Sequence, residues 1–194
     1  MHFITIGINH KTTPIEIREK FFLSREEQAH LLSELKNDPS VEGAIILSTC
    51  NRVEIYTHMI DLDPELILKH LFKIKHIPLE SNHRQYFYVY FKEKAVHHLF
   101  QVASGLDSLI LGEKQILGQL KEAVDLSRDS GMLSKDFNIL SNIAIQTGKK
   151  IQNETQIGCG GSSISWAAVK MIQNLLGTLE GKSVLLIGAG KMGK

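Results

Sequence analysis

The sequence predicts an α+β fold, a small antiparallel sheet followed by a helical region. Apolar residues alternate in short stretches before residue 92, and helical periodicity dominates from Lys92 onward. Glycines punctuate the helical part at Gly105, Gly112, Gly131 and the Gly158 to Gly161 cluster. A chain of 194 residues is long enough for one substantial core, or for one domain and part of another.

Taken in order, His2 to Asn9 alternates through Phe3, Ile4, Ile6 and Ile8 as a first strand, and a polar loop with Pro14 follows. Ser24 with Glu27 three residues later is a capping box that opens a helix to about Asn37. Gly43 to Thr49 and Arg52 to Met59 are two strands joined by a short polar turn. Leu62 to Ile74 has helical periodicity, and the aromatic run Tyr86 to Phe91 is a further strand. The order β-α-β-β-α-β is the split βαβ arrangement of ferredoxin-like folds, an antiparallel sheet with two helices on one face. Helices are expected near 92–104, 112–130, 133–155 and 162–177.

Val184 to Ile187 is a fully apolar strand that leads into Gly188-Ala189-Gly190-Lys191-Met192-Gly193. Such a G-x-G-x-x-G turn opens a dinucleotide-binding unit, because glycines let the backbone approach a pyrophosphate. The expected organisation is a domain over 1–157, with a sheet part over 1–91 and a helical part over 92–157. A linker and helix would span 158–181, and 182–194 would begin a second, Rossmann-type domain. A lone strand cannot bury its apolar face, so the chain is expected to stop inside that second domain.

Composition narrows the classes. A net charge of +1 leaves no strongly basic face for nucleic acid in the totals, and Lys149-Lys150 or Lys121 with Arg128 are short clusters of a solvated helix face. None of the nine histidines shows zinc-ligand spacing, so no metal site is expected. Two distant cysteines without a signal peptide fit a reducing cytoplasm, and no apolar segment has the length that spans a bilayer.

Three places can carry chemistry. Cys50 sits in the turn Ser48-Thr49-Cys50-Asn51-Arg52, two residues from a fixed positive charge that favours a thiolate, the form that attacks carbonyls. Burial as a small hydrophobe at a strand end explains the same cysteine without chemistry. His97 and His98 lie on a helix whose Val96, Leu99, Phe100 and Ala103 share one face; His98 then points nearly opposite that face and His97 flanks it. They are two exposed histidines, or one of them lines a cleft as a proton donor or acceptor. In Ser104 to Gln119, Gln115 and Gln119 are one helical turn apart and Glu113 stands at the helix start. Ser, Glu and Gln side chains there can hold the carboxylate and ammonium of an amino acid, or form a polar outer face over Ile116, Leu117 and Leu120.

Several stretches together resemble the signature segments of the glutamyl-tRNA reductase family. They are Gly7 to Thr12, Ser48 to Tyr56, Ala103 to Glu113, Gln115 to Gln119, Glu154 to Gly158 and Ser162 to Ser165, all in the family's order. The resemblance implies that the Cys50 thiolate attacks the ester of glutamyl-tRNA and that NADPH reduces the resulting thioester to glutamate-1-semialdehyde. That reaction is the first committed step of tetrapyrrole synthesis by the five-carbon route. By the same resemblance Thr49, Cys50, Asn51, Arg52, Ser108, Glu113, Lys114, Gln115 and Gln119 form the glutamate pocket, with Arg52 holding a carboxylate as a planar fork. His98 takes the place of the family's functionally important histidine, and Gly188, Ala189, Gly190, Lys191, Met192 and Gly193 belong to the cofactor site. Lys114 departs from the family, where proline is common. A homodimer formed by a C-terminal region, and contact with the aminomutase that acts on the semialdehyde, also follow from the resemblance. The stretch at hand would then support thioester formation and its slow hydrolysis without reduction. Two other classes remain: a non-catalytic ferredoxin-like RNA- or protein-binding module, and an unrelated thiol-dependent NAD(P) dehydrogenase, which leaves Ser108 to Gln119 unexplained.

Overall fold

The computed structural model describes the chain apart from residues 1, 80, 156, 158–163, 186 and 189–194. Four strands, β1 (His2–Asn9), β2 (Val41–Ser48), β3 (Arg52–Met59) and β4 (Tyr88–Phe91), form one sheet in the order β2-β3-β1-β4, with every neighbouring pair antiparallel. This is the strand order of the expected split βαβ arrangement, two interleaved βαβ units with β1 and β3 at the centre. Helices α1 (Ile15–Phe21), α2 (Arg25–Lys36) and α3 (Pro64–Ile74) lie within the sheet region, and α4 (Lys92–Ala103), α5 (Gln115–Asp129), α6 (Lys135–Glu154) and α7 (Ile164–Leu176) follow it.

Strand alternation sends successive side chains to opposite faces, and here both faces are covered. Ile4, Ile6, Ile8, Val53 and Ile55 pack with Leu31, Leu32, Leu35, Ile67, Leu71 and Phe72 of α2 and α3. Phe3, Ile45, Leu47 and Tyr56 pack the other way, with Leu99 and Val102 of α4, Leu120 and Val124 of α5, and Phe137 and Ala144 of α6. A sheet buried on both faces has no solvated side to mark with polar residues. Any polar side chain inside it therefore needs partners.

Local signals account for most boundaries. The Ser24–Glu27 capping box is formed, with Glu27 N–H donating to Ser24 Oγ at 3.2 Å and Ser24 N–H to Glu27 Oε2 at 2.7 Å. Asp63 caps α3 by accepting from the backbone N–H of Glu65 and Leu66, with Pro64 at the first helical position. The exposed edge of β2 is partly closed by Ala44 N–H donating to Met132 O at 2.9 Å. No helix among the described residues is long and apolar enough to cross a membrane.

Four expectations are corrected. The polar loop with Pro14 contains α1, a seven-residue helix started by Pro14 and anchored by the single buried residue Phe21. The strand expected from Tyr86 begins at Tyr88, after a 3-10 turn over Asn82–Tyr86, and among the described residues it pairs only with β1. The helix expected from 112 begins at Gln115, because Gly112 takes a positive φ of 77° that ends the preceding loop. Val184, Leu185 and Ile187 form no strand and are 76%, 85% and 88% exposed; among the described residues no strand lies beside them to pair with their backbone. Of the glycine turn that follows, only Gly188 is among the described residues. Ala189, Gly190, Lys191, Met192 and Gly193, expected to hold NADPH, lie outside them.

One contact fixes how closely the helical layer packs. Gly148 of α6 lies against α4, where an added Cβ would sit 2.3 Å from Ala103 O. Gly148→Ala must push two helix backbones apart, and we expect it to lower stability by about 2 kcal/mol. Urea unfolding monitored by circular dichroism measures this; a variant of wild-type stability would show that the contact is not tight.

Candidate active site

Arg52, Glu54 and Tyr56 alternate along β3, so all three side chains lie on the face turned toward α4. Glu54 is fully buried. Its Oε1 accepts from Arg52 Nη1 at 2.9 Å, from His98 Nε2 at 2.8 Å and from the Tyr88 hydroxyl, while Oε2 accepts from the Tyr56 hydroxyl. Four donors converge on one carboxylate, three of them on Oε1 and one on Oε2. Burial pushes this carboxyl up, but the charge of Arg52 and the bonds from His98 and Tyr56 outweigh it and hold the group below its ordinary value of 4.5. Burial and the charge of Glu54 raise both tyrosines, which stay protonated as donors. Because an ionised carboxylate only accepts, Nε2 is the protonated nitrogen of His98.

Glycine makes room for this cluster. Gly7 lies opposite Glu54 on β1 and opposite Tyr88 on β4. An added Cβ would stand 2.6 Å from Val53 O and 2.7 Å from Glu54 Cγ.

The turn after β2 is built around Thr49. Its Oγ1 accepts the N–H of Asn51 and of Arg52, both at 3.2 Å, and its own N–H donates to Arg52 O at 2.8 Å. Cys50 therefore stands at the tip of a tightly held turn, exposed and free. His10 N–H donates to Asn51 O at 2.9 Å, and Arg18 Nη1 of α1 donates to Cys50 O at 2.7 Å.

Facing the turn is the loop between α4 and α5. It closes on itself through Gly112 N–H donating to Gly105 O at 2.9 Å, both glycines having positive φ. Asp107 fastens it: its carboxylate takes Lys11 Nζ at 2.5 Å and Arg52 Nη1 at 3.0 Å, and its carbonyl takes Arg52 Nη2 at 2.5 Å. Burial pushes the Asp107 carboxyl up, yet the bond from Lys11 and the charge of Arg52 hold it below its ordinary value.

Between turn and loop is a cleft of about 110 Å³ lined by Thr49, Cys50, Asn51, Arg52, Ser108, Leu109, Glu113, Gln115, Ile116 and Gln119. At roughly 30 Å³ per water it holds about four waters or one small acyl group. Burial raises the Glu113 carboxyl, with Arg52 opposing. A larger hollow of about 560 Å³ beside α4 is lined by Phe3, Lys92, Glu93, Val96, His97 and Phe100; its surface is mostly apolar and it holds no thiol, whereas the smaller cleft holds Cys50.

Eight of the nine expected pocket residues share this cleft. Lys114 does not line it; its side chain is exposed at the start of α5. His98 also lies outside the lining. It points into the buried face of α4 with Ala95, Leu99 and Val102, the reverse of the expected orientation, because buried Glu54 draws its imidazole inward. His97 is exposed. Arg52 is not a free fork, since Glu54 and Asp107 already occupy Nη1 and Nη2. The sequence reading missed Glu54, Asp107, Lys11 and Arg18. The one signal for Glu54 was its i+2 spacing from Arg52 within a strand buried on both faces. Glu54, His98 and Asp107 bring candidate ligand atoms within 4.8 Å of one another, and the cation among them is the Arg52 guanidinium.

Residues 6–155 match the family described as Glutamyl-tRNAGlu reductase, N-terminal domain. Glutamyl-tRNA reductase of Carboxydothermus hydrogenoformans is 44% identical over 99% of the chain, and that of Aquifex aeolicus 40% identical over 97%. The alignments take in 43% and 46% of those relatives, so the chain spans less than half the length of the curated relatives it matches. The solved structure of glutamyl-tRNA reductase from Methanopyrus kandleri superposes with a TM-score of 0.68 at 34% identity, over 98% of this chain and 44% of that one.

Removing the carboxylate that organises the site gives a signed expectation. Glu54→Gln leaves Arg52 one anion short in a buried setting, and we expect a loss of about 3 kcal/mol near neutral pH. A carboxyl held low in the folded state contributes stability above its unfolded value and loses that contribution as pH falls through the folded one. The gap between wild type and variant should therefore narrow as pH drops below about 4.5. Thermal melts across pH test this; a gap that widens in acid would contradict it.

Proposed function

The chain belongs to the glutamyl-tRNA reductase N-terminal domain family, and from that premise we propose that Cys50 accepts the glutamyl group of glutamyl-tRNA as a thioester. The observation that carries this reading is the cleft. An exposed thiol shares about 110 Å³ with Ser108, Glu113, Gln115 and Gln119, side chains suited to the polar groups of one amino acid.

In this mechanism the Cys50 thiolate adds to the ester carbonyl and forms a C–S bond. Collapse of the tetrahedral adduct breaks the bond to the ribose oxygen, which takes a proton from water and leaves as the ribose hydroxyl of the released RNA. Glu113 receives the substrate ammonium, and Gln115 and Gln119, one turn apart on α5, bind carboxylate or carbonyl oxygens. Leu109 and Ile116 supply the apolar wall for the methylenes. Arg52, committed to Glu54 and Asp107, acts as a fixed wall of the cleft rather than as a mobile fork, and His98 is a positioning residue that works through Glu54. Binding of NADPH would supply the hydride that converts the thioester to glutamate-1-semialdehyde and frees the thiolate. The chemistry supported by the described residues stops at the thioester. The same reading places the protein in the cytoplasm at the first step of tetrapyrrole synthesis, as a homodimer that passes its product to an aminomutase.

Two outcomes test it. Cys50→Ser should abolish the covalent glutamyl adduct seen by intact-protein mass spectrometry after incubation with glutamyl-tRNA; an adduct that persists, or one mapped to Cys159, would refute the assignment. Glu113→Gln should raise KM by about tenfold, the size of one charge-assisted hydrogen bond. Since the Glu113 carboxyl is shifted upward, the carboxylate that grips an ammonium builds up only as pH rises through that raised value. Wild-type KM should fall across this window and the variant's should stay flat.

A further inference from the structure

Three cations surround the Cys50 turn, and two are neutralised. Arg52 meets Glu54 and Asp107, and Lys11 meets Asp107 at 2.5 Å. Arg18 is different. Its Nε donates to Thr13 O at 3.2 Å, and its Nη1 donates to Cys50 O at 2.7 Å and Asn51 Oδ1 at 3.5 Å, all neutral oxygens. Among the described residues no carboxylate pairs with it, and its Nη2 has no acceptor. The guanidinium is thus held on two nitrogens with its third edge open. A held, uncompensated charge next to a nucleophile is suited to an incoming anion.

Arg18 does not line the cleft that would take the glutamyl group, so that anion is not the glutamyl carboxylate. His10 registers the field at the same turn. Burial, then the charge of Arg52, push its imidazole toward the neutral form, with Lys11 and Arg18 adding to this and Asp107 opposing. The remaining anion in the reaction belongs to the leaving group. An acyl ester on a terminal ribose carries its first backbone phosphate on the 5′ carbon of that same ribose. When the ester carbonyl reaches Cys50, this phosphate arrives within one sugar's length of it.

We propose that Arg18 binds the terminal phosphodiester of the RNA while Cys50 is acylated, an inference that rests on Cys50 as the acyl acceptor. The site explains how a chain of net charge +1 handles RNA at its nucleophile: one oriented guanidinium meets one phosphate at the reacting end.

The test uses two small glutamyl esters of adenosine, identical except that one carries a 5′-methylphosphate. Wild-type protein should form the Cys50 adduct about tenfold more efficiently from the phosphorylated ester, and Arg18→Gln should reduce that ratio to about one. With glutamyl-tRNA the same variant should lower the slope of log(kcat/KM) for adduct formation against log salt by about one. Free methyl phosphate provides an arm without any mutant, because it should slow the phosphorylated ester toward the rate of the other. The proposal is overturned if wild type treats both esters alike, or if Arg18→Gln slows both by the same factor, as a role confined to holding the Cys50 carbonyl requires. If neither ester loads Cys50 while another residue is acylated, the acyl-acceptor reading has failed rather than the phosphate contact.

Discussion

The site depends on a carboxylate buried inside a two-sided sheet. Taking Glu54 and Arg52 out of water costs several kcal/mol per ion, and one contact between them does not offset this. The structure meets the cost by giving Glu54 four donors: Arg52, His98 and Tyr88 on Oε1, and Tyr56 on Oε2. Each donor comes from a neighbouring position on β3 or from β4 and α4, so the carboxylate ties three elements to one point. A buried ion pair is weak evidence for stability by itself. Its effect here is geometric, because it fixes the Arg52 guanidinium at the floor of the cleft.

From that guanidinium the order spreads outward. Arg52 binds the carboxylate and the carbonyl of Asp107, which seats the loop carrying Ser108 and Leu109 against the Cys50 turn. Thr49 arranges the turn through two backbone N–H groups, and Gly7 leaves the volume that Glu54 occupies. The cleft is small because two irregular segments are both tied to one arginine. Loops set on a rigid sheet are where binding groups are usually found, and here the tie is electrostatic rather than apolar.

Much of this was legible in the residues, and the exceptions have physical causes. The capping box at Ser24, the alternation of β1 to β3 and the i,i+4 pairing of Gln115 with Gln119 are local patterns, and each appears as expected. Helix α1 leaves no periodic signal in the sequence because it spans seven residues with one buried side chain. Helical periodicity sets His98 opposite the apolar stripe of α4, whereas in the fold its side chain is buried. Its partner Glu54 is 44 positions away, and only the folded sheet brings the two together. The family resemblance puts Lys114 in the pocket, and its exposed side chain shows that position and direction are separate matters.

The charge that sits free beside the thiol is not the one adjacent to it in sequence. Adjacency pointed to Arg52, two residues from Cys50, yet distance along a strand says nothing about commitment. Arg52 contributes little net field beyond its neighbours, because two carboxylates balance it together with Lys11: Glu54 and Asp107 against Arg52 and Lys11 sum to zero. Arg18, 32 positions from Cys50, holds the carbonyl of Cys50, and no carboxylate among the described residues pairs with it. Inside a protein a paired charge organises structure, and an unpaired one at a rim acts on what arrives. The two arginines therefore divide the work at this turn: Arg52 builds the cleft from within, and Arg18 faces the anion that enters with the substrate.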